Sequence, residues 1–154
     1  MPDKQVMSDL DATTAWAKGN KGDTNRLGIT GFCWGGRIVW MYTTHNHAIK
    51  AAVAWYGPID RPRNELTPTY PIDVVKDIQS PVLGLYGAAD QSIPVADVEK
   101  LRDTLKEAGK NCEFVIYPDT PHGFHADYRA TYRPEAAKDG WKRLQEWFKK
   151  NGVA

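Results

Sequence analysis

Cysteine is scarce in this sequence: 154 residues hold two, Cys33 and Cys112, in no CxxC pairing. That argues against a disulfide framework. An excess of one charge is also missing. Twenty Lys and Arg stand against nineteen Asp and Glu, for a net charge of +1. A nucleic-acid-binding surface is therefore not expected as the main function. No apolar run reaches the length needed to cross a bilayer, so no membrane span is expected. Met1 to Asp11 is polar and carries acids, unlike a secretory leader. These absences lead to the expectation of a cytoplasmic protein whose Cys33 thiol stays reduced. What is present is ordinary for a globular domain, with 42% apolar and 25% charged residues and six tryptophans. The length predicts a single domain over 1–154.

The pattern alternates strand and helix. A helix is predicted from Ser8 to Lys18, with Leu10, Thr14 and Ala17 on one face and Ser8 or Asp9 as its cap. Arg26 to Phe32 reads as a strand, Gly31 to Gly36 as a tight turn, and Ile38 to Thr43 as a helix. Ala51–Tyr56, Pro81–Gly87 and Cys112–Tyr117 complete four strands, the first two of these apolar enough to be buried on both faces. Pro58 to Gln79 is a long, proline-rich connection with a short helix near Val74 to Ile78. Pro94–Ala108 and Pro134–Lys150 carry apolar residues at helical spacing, each with a glycine near its end. Such an order implies an α/β fold on a mostly parallel sheet with helices on both faces. In that architecture reactive residues stand at the carboxyl ends of strands.

The first strand ends in Gly31-Phe32-Cys33-Trp34-Gly35, a G-x-C-x-G pattern. A strand that turns at once into a helix lifts one side chain above the sheet, and glycines two positions away leave room for the strained apex. Cys33 then stands as nucleophile. The Trp34 backbone N–H faces the same point as an oxyanion donor, and Gly36 lets the helix pack closely. The third strand ends in Gly87-Ala88-Ala89-Asp90, where a carboxylate is placed to orient a histidine. After the fourth strand comes Pro121-His122-Gly123-Phe124, with His122 as the candidate base. Taken singly, Cys33 can also be a buried structural thiol, Asp90 a turn cap, and His122 an exposed loop residue. The order nucleophile, acid, histidine at three strand ends joins them into one site. His125 either lines the pocket or is solvated. His45 and His47 look like a polar helix end, without enough neighbouring ligands for a metal. Cys112 reads as core, and the basic residues of the last helix as a solvated face. Arg61 and Arg63 in the long loop are candidates for holding an anion.

Gly31-Phe32-Cys33-Trp34-Gly35-Gly36, Tyr86-Gly87-Ala88-Ala89-Asp90 and Pro121-His122-Gly123-Phe124 together resemble the dienelactone hydrolase family, over nearly the whole chain. The resemblance implies an α/β-hydrolase fold and hydrolysis of ester or lactone bonds in small molecules. Cys33 would attack the carbonyl, His122 would move protons, and Asp90 would orient His122, with an acyl-thioester intermediate. No metal or organic cofactor is implied. Family members are longer, and the resemblance implies an N-terminally truncated fold here. The family's resting-cysteine glutamate, its second oxyanion donor and one substrate-gripping arginine have no counterpart in this sequence. Another arginine falls, in the name-giving members, four residues after the histidine. That position is Ala126 here, and Arg129 is the nearest arginine downstream.

With upstream strands missing, the strand at Arg26 to Phe32 would be an open edge, which invites pairing with a second copy or with a separate N-terminal segment. Two further readings stay open: an inactive remnant that keeps the triad residues, and a redox protein using Cys33 as a sensor.

Overall fold

The computed structural model describes all residues, 1–154. Its elements run α1 (Asp3–Gly19), β1 (Gly28–Phe32), α2 (Trp34–His45), β2 (Ala51–Trp55), β3 (Val82–Gly87), α3 (Val95–Glu107), β4 (Cys112–Tyr117) and α4 (Pro134–Lys150). Short 3₁₀ turns cover Thr24–Arg26, Pro71–Asp73 and Val75–Asp77. The four strands are parallel and lie in the order β1-β2-β3-β4. The α/β reading with a parallel sheet holds.

Helices cover both faces. On one, Trp40 of α2 donates to the Tyr86 hydroxyl at 3.1 Å and stacks on Phe114. On the other, α4 lies so close that a Cβ at Gly140 would meet the Trp55 ring at 2.6 Å. Every residue of β2 and β3 is buried, as inner strands of a doubly covered parallel sheet should be. β1 pairs only with β2, so the strand that leads into Cys33 is an edge.

Several boundaries differ from expectation. α1 starts at Asp3, not near Ser8, and Pro2 occupies its cap, so Ser8 and Asp9 sit inside the helix. The early start has a tertiary cause. Arg37 of α2 is buried and donates to Asp3 from both terminal nitrogens, Nη1 and Nη2, at 2.8 and 2.7 Å, while its guanidinium lies over the Tyr70 ring. Residues 24–26 form a 3₁₀ turn, held by Asp23 accepting from Arg26 and Asn25, so β1 begins at Gly28 rather than Arg26. α2 starts at Trp34 and ends at His45, longer at both ends than Ile38–Thr43. The expected short helix before the third strand is two 3₁₀ turns.

Candidate active site

Cys33 is the residue between β1 and α2. Its N–H donates to Trp55 O at 3.0 Å, which continues the sheet ladder. Its own carbonyl already accepts from Gly36 and Arg37, at 2.9 and 3.3 Å, which begins the helix. One residue thus serves both elements, and it does so at φ 55°, in the region that costs an L-residue strain. Gly31 is required here: a Cβ there would lie 2.6 Å from the Gly35 carbonyl carbon. Gly36 is required too, since its Cβ would meet Trp55 O at 2.5 Å and Gly57 Cα at 3.0 Å. Gly35 is different. The space around its Cβ position is open, so the expectation that both flanking glycines are needed for room holds only for Gly31. As the first residue of α2, Trp34 presents an N–H with no acceptor inside the helix, available to an anion beside Cys33.

Asp90 and His122 reach each other because two loops touch. Gly87, the last residue of β3, lies against Thr120, where a Cβ would come within 2.8 Å of the carbonyl carbon. The Ala89 N–H donates to Thr120 O at 3.0 Å across the same contact. Asp90 is buried, with Oδ1 accepting from the Ser92 N–H (2.8 Å), the Ser92 hydroxyl (2.7 Å) and the Ile93 N–H (3.1 Å). Oδ2 is left for His122 Nδ1 at 2.7 Å. An ionised carboxylate only accepts, so Nδ1 carries a proton, and in the neutral ring Nε2 then presents the lone pair. Nε2 lies 3.1 Å from Cys33 Sγ. The chain from thiol to imidazole to carboxylate is continuous.

The electrostatics follow from these contacts. Burial pushes the Asp90 carboxyl up, but the bonds from His122 and Ser92 outweigh it, and the net shift is below the ordinary 3.8. The Asp90 bond raises His122 above 6.5, against burial and with help from Cys33. Burial and the neighbouring Cys33 push the Tyr56 hydroxyl up to about 12. Burial lowers His125, opposed by Asp127.

A cleft of about 730 Å³ is lined by Phe32, Tyr56, His125, Tyr132, Trp141 and Lys138 among others. None of Cys33, Asp90 and His122 lines it, and its link to them is Phe32, the chain neighbour of Cys33, and Tyr56, whose ring meets His122. His125 does line the cleft, tilted against Phe32 at a centroid distance of 5.1 Å and edge-on to Trp55 at 4.6 Å. Other candidates lie elsewhere. His45 pairs with Asp11 at 2.7 Å, and His47 contacts Thr44 O. Arg63 is held by Asp60 and Asp73, and Arg61 donates to Ser92 O at 2.8 Å, so both guanidiniums are engaged within the protein. Arg129 is exposed near Gly123 and lies over the Tyr128 ring. Cys112 is only partly buried, though burial still pushes its thiol up to about 11. It starts β4, whereas Cys33 follows the end of β1, so the two sulfurs sit at opposite ends of the sheet. No helix is long and apolar enough to cross a membrane.

Sequence reasoning missed Ser92 and Tyr56. Ser92 was legible: Asp-x-Ser just before a helix is an Asx-turn pattern, and that turn holds Asp90. Tyr56 directly follows β2, and the rule that strand ends carry the chemistry covers it as well as the other three. What the sequence does not contain is the fold of its ring toward His122.

Comparison with known proteins shows the family and the fold. The model of the dienelactone hydrolase family matches residues 1–152. A Methylorubrum extorquens protein with the provisional name carboxymethylenebutenolidase is 60% identical over 155 residues, covering 100% of this chain and 53% of its own. A crystal structure from Klebsiella pneumoniae, provisionally named a dienelactone hydrolase, superposes with a TM-score of 0.94 at 52% identity, covering 96% of this chain and 62% of its own. The acylaminoacyl peptidase of Pyrococcus horikoshii shares the fold, with a TM-score of 0.78 at 20% identity over 94% of this chain and 27% of its own. The chain spans about half the length of the curated relatives it matches.

Proposed function

Because the chain belongs to the dienelactone hydrolase family, we propose that it hydrolyses ester or lactone bonds in small molecules through Cys33, His122 and Asp90. The observation that carries the reading is the relay of 3.1 Å from Sγ to Nε2 and 2.7 Å from Nδ1 to Asp90. Sulfur attacks the carbonyl carbon while its proton passes to Nε2. The carbonyl oxygen becomes an oxyanion that the Trp34 N–H receives. Asp90 stabilises the imidazolium that forms. Collapse breaks the carbon–oxygen bond, and Nε2 returns the proton to the departing alkoxide. The acyl group remains on sulfur as a thioester. Water then attacks with His122 taking its proton, and the carboxylic acid leaves as Cys33 is restored. In a lactone the departing alkoxide stays tethered to the acyl group, so the product is one ring-opened hydroxy acid. An aromatic cleft that reaches the site through Phe32 and Tyr56 supports a small-molecule substrate. A free thiol nucleophile works best in a reducing compartment, which supports a cytoplasmic location.

Burst kinetics with p-nitrophenyl acetate test the proposal. Wild type is expected to release one equivalent of p-nitrophenol rapidly and then turn over. Cys33→Ala should lose the burst, and His122→Ala should slow it on the order of 10²–10⁴-fold. Equal slow release by all three proteins would leave the inactive-remnant reading in its place.

A further inference from the structure

β1 and β2 end side by side, with Phe32 as the register partner of Trp55. The next residues, Cys33 and Tyr56, both have positive φ, 55° and 37°. At Cys33 the strand-to-helix turn accounts for it. At Tyr56 the cause lies one residue further on. Gly57 packs so tightly on the start of α2 that a Cβ there would lie 2.9 Å from Gly36 Cα. To reach that contact the chain turns through the left-handed region at Tyr56. Glycine or asparagine takes this conformation readily, and a bulky residue does not. A strained tyrosine beside the reacting groups is therefore a sign that its side chain is used.

The contacts say how. The Tyr56 N–H donates to Leu85 O at 2.8 Å, which fixes the backbone. The side chain is buried, and its ring meets Phe124 edge-on at 5.1 Å and Phe32 at 6.0 Å. It meets the His122 imidazole edge-on at 5.0 Å with an interplanar angle of 65°. His122 stands on a loop bracketed by two positive-φ residues, Asp119 and Gly123. Asp90 and the Ser92 hydroxyl, at 2.7 and 3.3 Å, both contact the same nitrogen, Nδ1, so the plane of the ring about that point is set by other contacts. A second contact is needed to aim Nε2.

We infer that Tyr56 is a positioning residue for this site: its ring sets the plane of the His122 imidazole so that Nε2 meets Cys33 Sγ. The inference rests on the proposed relay of Cys33, His122 and Asp90. The hydroxyl is not the working part. With its pKa pushed up to about 12 it stays protonated and uncharged; it accepts from the His125 backbone N–H, and the ring makes the contact with His122.

Tyr56→Phe and Tyr56→Asn separate the ring from the backbone, since asparagine tolerates positive φ but offers no aromatic surface. Tyr56→Gly replaces Tyr56→Asn if the latter fails to fold by circular dichroism. The first readout is the downfield Nδ1 proton resonance of the His122–Asp90 bond, which needs no turnover. The second is acylation by p-nitrophenyl acetate. Tyr56→Phe, which keeps the ring against His122, should keep the resonance. Tyr56→Asn should lose the resonance to solvent exchange and slow kcat on the order of 10²-fold with little change in KM. A resonance of equal sharpness in all three proteins would overturn the inference. So would its loss in Tyr56→Phe, or its absence from wild type. A wild type without acylation but with a Tyr56-dependent resonance would sink the hydrolase proposal alone.

Discussion

Asp90 divides its two carboxylate oxygens between two tasks. Oδ1 is saturated by Ser92 and Ile93, which fix the carboxylate plane, and Oδ2 faces His122. The division makes the pair a source of stability as well as of orientation. His122 has its pKa raised in the fold, so its contribution is fully present below the ordinary 6.5 and fades as pH rises through the raised value. Asp90 has its pKa lowered, so its contribution is present above the ordinary 3.8 and fades as pH falls through the lowered value. The stability gap between wild type and His122→Ala should therefore be widest between pH 3.8 and 6.5 and narrow on both sides. With His122 a quarter exposed, a gap on the order of 1 kcal/mol is expected. Urea unfolding at a series of pH values measures it, and a gap that does not vary with pH would contradict the assignment.

At the scale of elements, the site is set by where backbones come close. Gly31, Gly36, Gly57 and Gly87 each stand where a Cβ would strike another backbone, and together they draw the ends of β1, β2 and β3 toward α2 and the His122 loop. Gly140 is the counterpart on the other face, letting α4 settle on Trp55. Gly140→Ala sets two effects against each other. Alanine favours a helix interior by about 0.8–1.0 kcal/mol over glycine. Against this, its methyl would press into the Trp55 ring, which cannot easily withdraw. The indole N–H is bonded to Thr30 Oγ at 3.1 Å, and the ring stacks on Phe32 at 5.1 Å. Overpacking of a fixed core ring costs about 1–3 kcal/mol. The crowding term wins, and Gly140→Ala should lower Tm by a few degrees. A rise in Tm would mean that α4 can lift from the sheet at little cost.

Across the whole molecule, one sheet edge and one apolar surface coincide. β1 is an edge strand, and Phe32 at its end is 38% exposed, near Trp141 of α4 at 45%. His125 joins them, 5.1 Å from Phe32 and 5.7 Å from Trp141 between ring centroids. An unpaired strand edge beside exposed aromatic rings favours association between chains. Sedimentation velocity should show a weight-average mass that rises with protein concentration. Trp141→Lys, which charges that surface while leaving the buried stripe of α4 intact, should reduce the rise. Concentration-independent monomers in the wild type would show that this surface does not drive self-association.

Periodicity and punctuation determined most of the fold in advance. The strands at Ala51, Val82 and Cys112 and the helices of the C-terminal half fall within a residue or two of where apolar spacing, proline and glycine put them, because local chemistry alone decides those boundaries. Cys33, Asp90 and His122 are each marked by their own strand end, and the structure brings their side chains together. What local chemistry does not encode is contact between distant segments. The extension of α1 to Asp3 depends on a buried arginine 34 residues away. The choice of Oδ2 as the partner of His122 depends on Ser92 occupying Oδ1. The ring of Tyr56 reaches His122 only because Gly57 and Gly36 press two backbones together. Sequence names the candidate groups, and tertiary packing sets the angles at which they meet.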